Sequence, residues 1–489
     1  MAVSRGREPS SALQRVTAGV NDKNGINKRI FLLSASDEAA LRNQATDLQI
    51  LLQNKKLDVS EEWLDSLACT LGDGKREHSY RAAVVSSSAS QLRDSLGSCI
   101  KIHNALQRPT VGFIFTGQGA HWAGMGKELL DRYPAFYKSI GRIDAYMRRI
   151  GAPYSVIEEI LRAGNASQLG HPLLSQPIVS ALQIALVDLL AEWEIRPDAV
   201  AGHSSGEIAA GYAAGMLSME DAITVAYYRG VTGGTLLEKG IKGAMVAVGL
   251  SLSEARLYVA ALRTGRAAVA CENGPTNVTI SGDAAAIEEL ETFLQDKGIF
   301  TRRLAVEVAY HSHHIKVIAD DYYQSIAHIS PLTNGNGSAN PGNQRVQFFS
   351  SVTGSEVSAS ELNPEYWVRN LVEQVRMVDA VKSLCYNTGT TNNVLSMQDN
   401  RHLLKPTVDT LIEIGPHAEL AGPIKQILSL DRRLSRAHIE YSSVLIRGID
   451  ARSTALEVAA SLLCRGYPGN LQEINHPDEA GDQKNLHSD

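Results

Sequence analysis

No stretch of this sequence approaches the ~18 consecutive apolar residues that argue a membrane-spanning helix, so no membrane is expected as a partner. Cysteine is scarce. The five that occur (Cys69, Cys99, Cys271, Cys385 and Cys464) are odd in number, scattered, and without a Cys-x-x-Cys pair. That pattern excludes a disulfide framework and a cysteine-based zinc site, and it points to a reducing, cytoplasmic compartment. A strong charge of either sign is also missing. A net charge of −6 on 489 residues gives no reason to expect nucleic acid or an anionic surface as the target. Residues 1–27 are rich in Ser, Arg, Gly and Asn and lack the apolar run of a signal peptide; they read as a disordered leader. There is no internal repeat. What the chain does have is 44% hydrophobic residues, ample for a large core divided into two to four domains or subdomains.

The apolar pattern organises that core. Residues 29–35 (RIFLLSA) read as a buried strand, and Asp37 caps a helix running to about Leu52. A second amphipathic helix passes through Trp63, Leu64, Leu67 and Ala68; residues 81–86 form a strand and 91–103 a helix. This block is a small α/β domain over residues 28–108. From Val111 short apolar strands (111–115, 198–202, 411–415) alternate with helices such as 176–193 and 207–215, which argues a parallel sheet covered on both faces. Residues 242–308 break the alternation. Strands at 244–250, 267–273, 277–281 and 301–308 and helices at 253–263 and 284–297 follow the order β-α-β-β-α-β, which is ferredoxin-like. The expected fold class is therefore α/β: an α/β-hydrolase-like parallel-sheet core over 109–241 and 309–435, with the ferredoxin-like insert between its halves. A segment at 436–475 and a charged, disordered tail at 476–489 complete the chain. Residues 333–343 and 387–401, polar and low in complexity, read as surface loops.

The strongest chemical signal is Gly202-His203-Ser204-Ser205-Gly206, a G-x-S-x-G between a strand and a helix. In a nucleophile elbow the flanking glycines permit a strained turn that lifts the serine out of the sheet. The helix N-terminus then offers backbone N–H groups to a developing oxyanion. A serine needs a base. Three of the 14 histidines (His311, His313 and His314) sit together where the insert returns to the core, and spacing alone does not choose among them. A metal cluster would want further Cys, His or carboxylate ligands at defined spacing, and none is evident. Arg229 stands among Val225, Ala226 and Tyr227, a setting that allows burial; a buried arginine requires an anion, and its planar fork suits a carboxylate.

Together these residues resemble the acyltransferase domain of polyketide synthases, most nearly those of iterative, highly reducing fungal synthases, and more distantly bacterial malonyl-CoA:acyl-carrier-protein transacylases. The likeness runs from about 110 to 435. It is carried by Phe115-Thr116-Gly117-Gln118-Gly119-Ala120-His121-Trp122, the 202–207 elbow, Tyr227-Tyr228-Arg229-Gly230, Gly243-Ala244-Met245-Val246-Ala247-Val248-Gly249, and Glu413-Ile414-Gly415-Pro416-His417. Residues 29–107 resemble the linker between ketosynthase and acyltransferase, and 440–475 the segment after the acyltransferase. The chain is thus expected to correspond to the middle of a larger synthase, with a carrier protein or polyketide synthase supplied separately.

The resemblance implies roles. Ser204 is the acylated nucleophile and His311 its base. The amides of Gln118 and Ser205 form the oxyanion hole. Arg229 holds a malonyl carboxylate, and Gln176 and Tyr310 line the same pocket. The base is oriented by a main-chain carbonyl near Arg376 rather than by an acid. No bound cofactor or metal is implied; the substrates are malonyl-CoA and the phosphopantetheine arm of an acyl carrier protein. Ser205 and Tyr310 favour malonyl over methylmalonyl, although Val308-Ala309-Tyr310-His311 matches neither common version of the family's specificity motif. Two other classes compete. A serine esterase would share the elbow, but it should add an acid between Ser and His and usually an HGG loop, which does not occur. An idle synthase fragment or docking module should have lost one of Ser204, His311, Arg229 or Gln118.

Overall fold

The computed structural model describes residues 27–54, 59–72, 78–98, 100–162, 164–332, 345–386 and 406–477. The expected leader (1–27) up to residue 26, both expected loops, and the expected tail (476–489) from 478 lie outside the described residues.

The first block is built on β1 (Arg29–Ala35), which pairs antiparallel with β2 (Tyr80–Ser86), which in turn pairs with β3 (His103–Asn104). Every β1 residue is buried, yet its two faces serve different cores. Phe31 and Leu33 join the apolar cluster of this block, whereas Ile30 and Leu32 join that of the main body. Period-2 alternation thus makes one strand the shared wall of two cores. The helix expected at 91–103 stops at Gly97, because Ser98 is extended and the chain then turns to place β3 beside β2.

The main sheet contains β4 (Val111–Phe115) and β5 (Ala199–Gly202), parallel and adjacent. The insert between residues 243 and 303 supplies β6 (Gly243–Val248), β7 (Ala267–Gly274), β8 (Asn277–Asp283) and β9 (Thr301–Arg303). Its sheet order, β7-β8-β6-β9, is wholly antiparallel, with its own apolar cluster. The last insert strand ends at Arg303 rather than 308. After Leu304, whose N–H still reaches the Met245 carbonyl, the chain leaves the insert and re-enters the core with Val308 and Ala309 buried.

The core sheet is completed by β10 (Gln347–Phe349), β11 (Glu356–Val357), β13 (Thr410–Ile414) and β14 (Glu440–Ser443), in the order β11-β10-β5-β4-β13-β14. All these pairings are parallel except the β10–β11 edge. Two segments cross the boundaries expected from the sequence. β12 (Val375–Arg376), within the core's second half, extends the insert sheet along β7. β14, within 436–475, is an edge strand of the core sheet. The helix Ala451–Cys464 and Asn475 then tie that segment to the first block, Asn475 bonding both the N–H and the C=O of Ile30 at 2.9 and 3.0 Å.

Among the described residues one helix, Pro172–Glu192, is long and apolar enough to cross a membrane by composition; 83% of its apolar window is packed inside the protein. Its apolarity is that of a central core helix.

Candidate active site

Loops after β4, β5 and β13 leave the same end of the core sheet, where strand order reverses around β4. Open parallel sheets bind ligands at such a place, outside the carboxyl ends of their strands. The β5 loop carries Ser204 into the helix Gly206–Ala213. The strain of the turn rests on Ser204 itself, at φ 53°. The glycines serve close approach instead. A Cβ on Gly202 would lie 2.3 Å from the Glu207 nitrogen, and one on Gly206 would lie 2.5 Å from the Phe115 carbonyl oxygen. His311 is the other strained residue here, at φ 58°. Non-glycine residues held in the left-handed region cluster at functional sites because surrounding structure must enforce them.

Ser204 Oγ and His311 Nε2 are 2.7 Å apart, although 107 residues separate them. His311 Nδ1 donates to the Glu373 carbonyl at 2.7 Å. This orienting carbonyl comes from the residue that ends the helix Pro364–Val372, three positions before Arg376; Arg376 itself is turned outward, paired with Asp379. The hydrogen bond to Glu373 places the proton on Nδ1 and leaves Nε2 as the acceptor facing the serine. Burial, with the nearby Arg229 charge second, pushes the His311 pKa down to about 3. The imidazole is therefore neutral, as a base must be, over the whole physiological range.

Arg229 is buried in the site, only 1% exposed. Its Nη2 donates to Ser204 Oγ at 3.1 Å and its Nη1 to Asn370 Oδ1 at 2.8 Å, while Nε has no partner. Burial lowers its pKa. Among the described residues no carboxylate forms an ion pair with it. Asn370 is itself held by Glu207, whose buried carboxyl also accepts from the Ser351 N–H and hydroxyl and from Tyr366 Oη. Burial raises the Glu207 pKa against the pull of those donors.

Gln118 follows β4. Among the described residues neither its amide nor that of Ser205 donates a hydrogen bond, so both N–H groups are available to an oxyanion. The Gln118 side chain accepts from Gln176 Nε2 at 2.6 Å. Among the described residues Gln176 Oε1 and the Tyr310 hydroxyl, both buried, make no well-formed hydrogen bond, although the hydroxyl faces the Gln176 and Gln118 side chains. Unsatisfied buried polar atoms in a native site call for a ligand or water. A cleft of about 650 Å³ between core and insert is walled by Gln118, His203, Ser204, Tyr310 and His311, with Arg302, His417 and Arg447 also on its wall. Arg229 is not on that wall but bonds Ser204, which is.

The structure therefore brings together all seven residues singled out from the sequence. It also adds Asn370, Glu207 and Glu373. Glu207 lay inside the elbow motif; Asn370 and Glu373 carry no local signal, being ordinary polar residues around a helix end. The other two histidines of the triplet are turned away from Ser204. His313 and His314 both bond Asp283 Oδ1, at 3.0 and 2.7 Å. A carboxylate beside the histidines thus exists, supplied from 30 residues upstream by the end of β8.

Against known proteins, the family profile "Acyl transferase domain" matches residues 112–394, and "RhiE-like, KS-MAT linker domain" matches 32–102. The chain is 43% identical over 472 residues to the highly reducing polyketide synthase phiA of a fungal species, and 41% identical over 458 residues to highly reducing polyketide synthase tstA of Talaromyces stipitatus. These alignments cover 94% and 93% of this chain but only 18% of each relative. Among solved structures, the acyltransferase domain from module 8 of the salinomycin polyketide synthase is 25% identical with a TM-score of 0.76, over 91% of this chain and 98% of that one. A loading acyltransferase from the avermectin modular polyketide synthase is 29% identical with a TM-score of 0.60, over 72% and 99%. An elbow serine bonded to histidine in this fold, with the family profile spanning more than half its length, means that the chain belongs to the acyl transferase domain family found in polyketide synthases.

Proposed function

We propose that this chain transfers malonyl units from malonyl-CoA, through an ester on Ser204, to the phosphopantetheine thiol of a separately supplied acyl carrier protein. The observation that carries the reading is Arg229: a buried guanidinium, bonded to the nucleophile and, among the described residues, in no ion pair, with the Glu207 carboxyl acting on it only from behind Asn370. A buried charge without an ion pair costs several kcal/mol, on the order of what an incoming carboxylate can return. A malonyl group supplies that carboxylate two carbons from its thioester carbonyl; an acetyl group does not.

The steps follow from the geometry. His311 Nε2 takes the Ser204 proton as Oγ attacks the thioester carbonyl. The Ser205 and Gln118 amides receive the oxyanion. The C–S bond breaks, His311 returns the proton to the departing thiolate, and coenzyme A leaves. The carrier thiol then reverses the sequence, forming a new thioester and restoring Ser204. Asn370, anchored by Glu207, keeps the Arg229 fork turned toward the acyl group. Tyr310, packed over the same side, disfavours a methyl branch.

Intact mass after incubation with malonyl-CoA, acetyl-CoA and methylmalonyl-CoA tests the reading. The expected result is one malonyl adduct, absent in Ser204→Ala and discharged by a carrier protein. Folded protein that takes no acyl group from any of the three would overturn it, and release of free malonate without a lasting adduct would make the chain a hydrolase.

A further inference from the structure

The histidines not used by the nucleophile form a second constellation. His313 and His314, adjacent in sequence, aim both Nε2 atoms at one oxygen of Asp283, and the three ligand atoms all lie within 4.8 Å of one another. We propose that Asp283, His313 and His314 form a binding site for one divalent cation of the zinc class.

Four features support this. The first is spacing. Ligands at ~2.0–2.2 Å from a tetrahedral zinc ion stand somewhat over 3 Å apart. The two N···O separations, 3.0 and 2.7 Å, need only a small expansion to admit the ion. The second is chemistry. Two imidazoles and a carboxylate, with remaining positions open to water, are a ligand set zinc uses. The third is anchoring. Asp283 Oδ2 is held by the Arg266 N–H at 2.7 Å, which aims Oδ1 at the rings as an outer-sphere partner does around a metal carboxylate. The fourth is access. The His313 and Asp283 side chains are 24% and 34% exposed, an approach from solvent, whereas His314 at 10% forms the floor. Gly243 leaves room for that floor: a Cβ there would lie 2.9 Å from His314 Nδ1.

On binding, each ring gives up its Nε2–H···O bond, carries its proton on Nδ1, and ligates through Nε2. The consequence is mechanical. Asp283 belongs to the insert and the histidines to the segment that returns from it, two and three residues past His311. The ion would clamp the insert to the core beside the catalytic base. None of this depends on which acyl group the enzyme carries.

The test uses the full chain, freed of metal and titrated with Co²⁺ and then Zn²⁺. The expected result is one Co²⁺ per chain with tetrahedral visible absorption, displaced by Zn²⁺, and a thermal midpoint that rises with Zn²⁺. Asp283→Asn and His313→Ala should each weaken binding by more than about 100-fold, the upper end of what losing a mere outer-sphere partner costs. Asp283→Asn retains the shape of the hydrogen-bonded pin, so its fold is checked by the metal-free thermal midpoint. Absence of Co²⁺ absorption in the native chain would overturn the proposal. So would equal binding in the variants, which would place the ion on other histidines such as His121 and His417 at the cleft.

Discussion

Arg229→Met separates the proposed role of the guanidinium from an ordinary structural one. In the native site Nη1 and Nη2 are 2.8 and 3.1 Å from Asn370 Oδ1 and Ser204 Oγ, and Nε is unpaired. A malonyl carboxylate taking two charge-assisted hydrogen bonds at about 1.5–3 kcal/mol each would gain about 3–6 kcal/mol. Loss of the fork should therefore lower malonyl kcat/KM by about a hundred- to ten-thousand-fold, while acetyl transfer holds level or rises. Stability should move the other way from most core truncations. Removing a buried cation that has no ion pair relieves several kcal/mol of desolvation, against about 1–3 kcal/mol for leaving Asn370 Oδ1 without its donor and the lost attraction of the Glu207 carboxyl behind it. The ligand-free variant should melt at or above the native temperature. A third signature is the base. Removing a neighbouring positive charge favours protonated imidazole, so the acid limb of acylation should move up from about 3, with burial still holding it below the ordinary histidine value. The assays are competitive acylation with malonyl- and acetyl-CoA read by intact mass, thermal unfolding without ligand, and a pH–rate profile. An unchanged malonyl preference, or a melting temperature that falls as for a Leu→Ala cavity, would refute the reasoning.

Native Ser204 acylation should persist well below pH 6.5, because His311 must be neutral to act and its folded pKa is depressed to about 3. The same depression means the unfolded chain binds the extra proton first; this group's contribution to stability is complete above pH 6.5 and is lost as pH falls from there toward 3, which unfolding at stepped pH will show. Glu207→Gln should cost about 2–4 kcal/mol by chemical denaturation, since it sets an N–H against the Ser351, Tyr366 and Asn370 donors; an unaltered midpoint would rule out the carboxylate as their hub. Gly206→Ala should yield little folded protein, its Cβ meeting the rigid Phe115 carbonyl at 2.5 Å; a soluble variant with native melting would contradict the close-approach account of the elbow.

Much of this protein was legible in the chain because the relevant signals are local. Seven consecutive residues of β1 carry their own pattern, and Asp37 caps its helix through the Ala40 N–H three residues away. The elbow lies within six residues, and each strand–helix alternation within a window of about thirty. Period and backbone preference act at that range, so residues 202–207 announce a nucleophile before any fold is known. Where local rules misled, a distant partner had intervened. The strand expected to run to 308 stops at Arg303 because His311 must leave the insert to reach Ser204, and the helix expected to reach 103 yields at Gly97 so that β3 can pair with β2.

The tertiary structure alone decided the rest. Which of three neighbouring histidines faces the serine depends on a left-handed turn at His311 and a carbonyl 62 residues on, at Glu373. Asn370 meets Arg229 and the Ser204 backbone across separations of 141 and 166 residues, and Asp283 meets the other two histidines only once the insert has folded back on the core. Such contacts follow from the order in which strands lie side by side. That order is set by burial of whole faces, which no short window contains. The sequence by itself determined a serine elbow in an α/β frame, and the packing of sheet, insert and returning segment determined which histidine faces that serine, which cation is buried beside it, and the second histidine cluster.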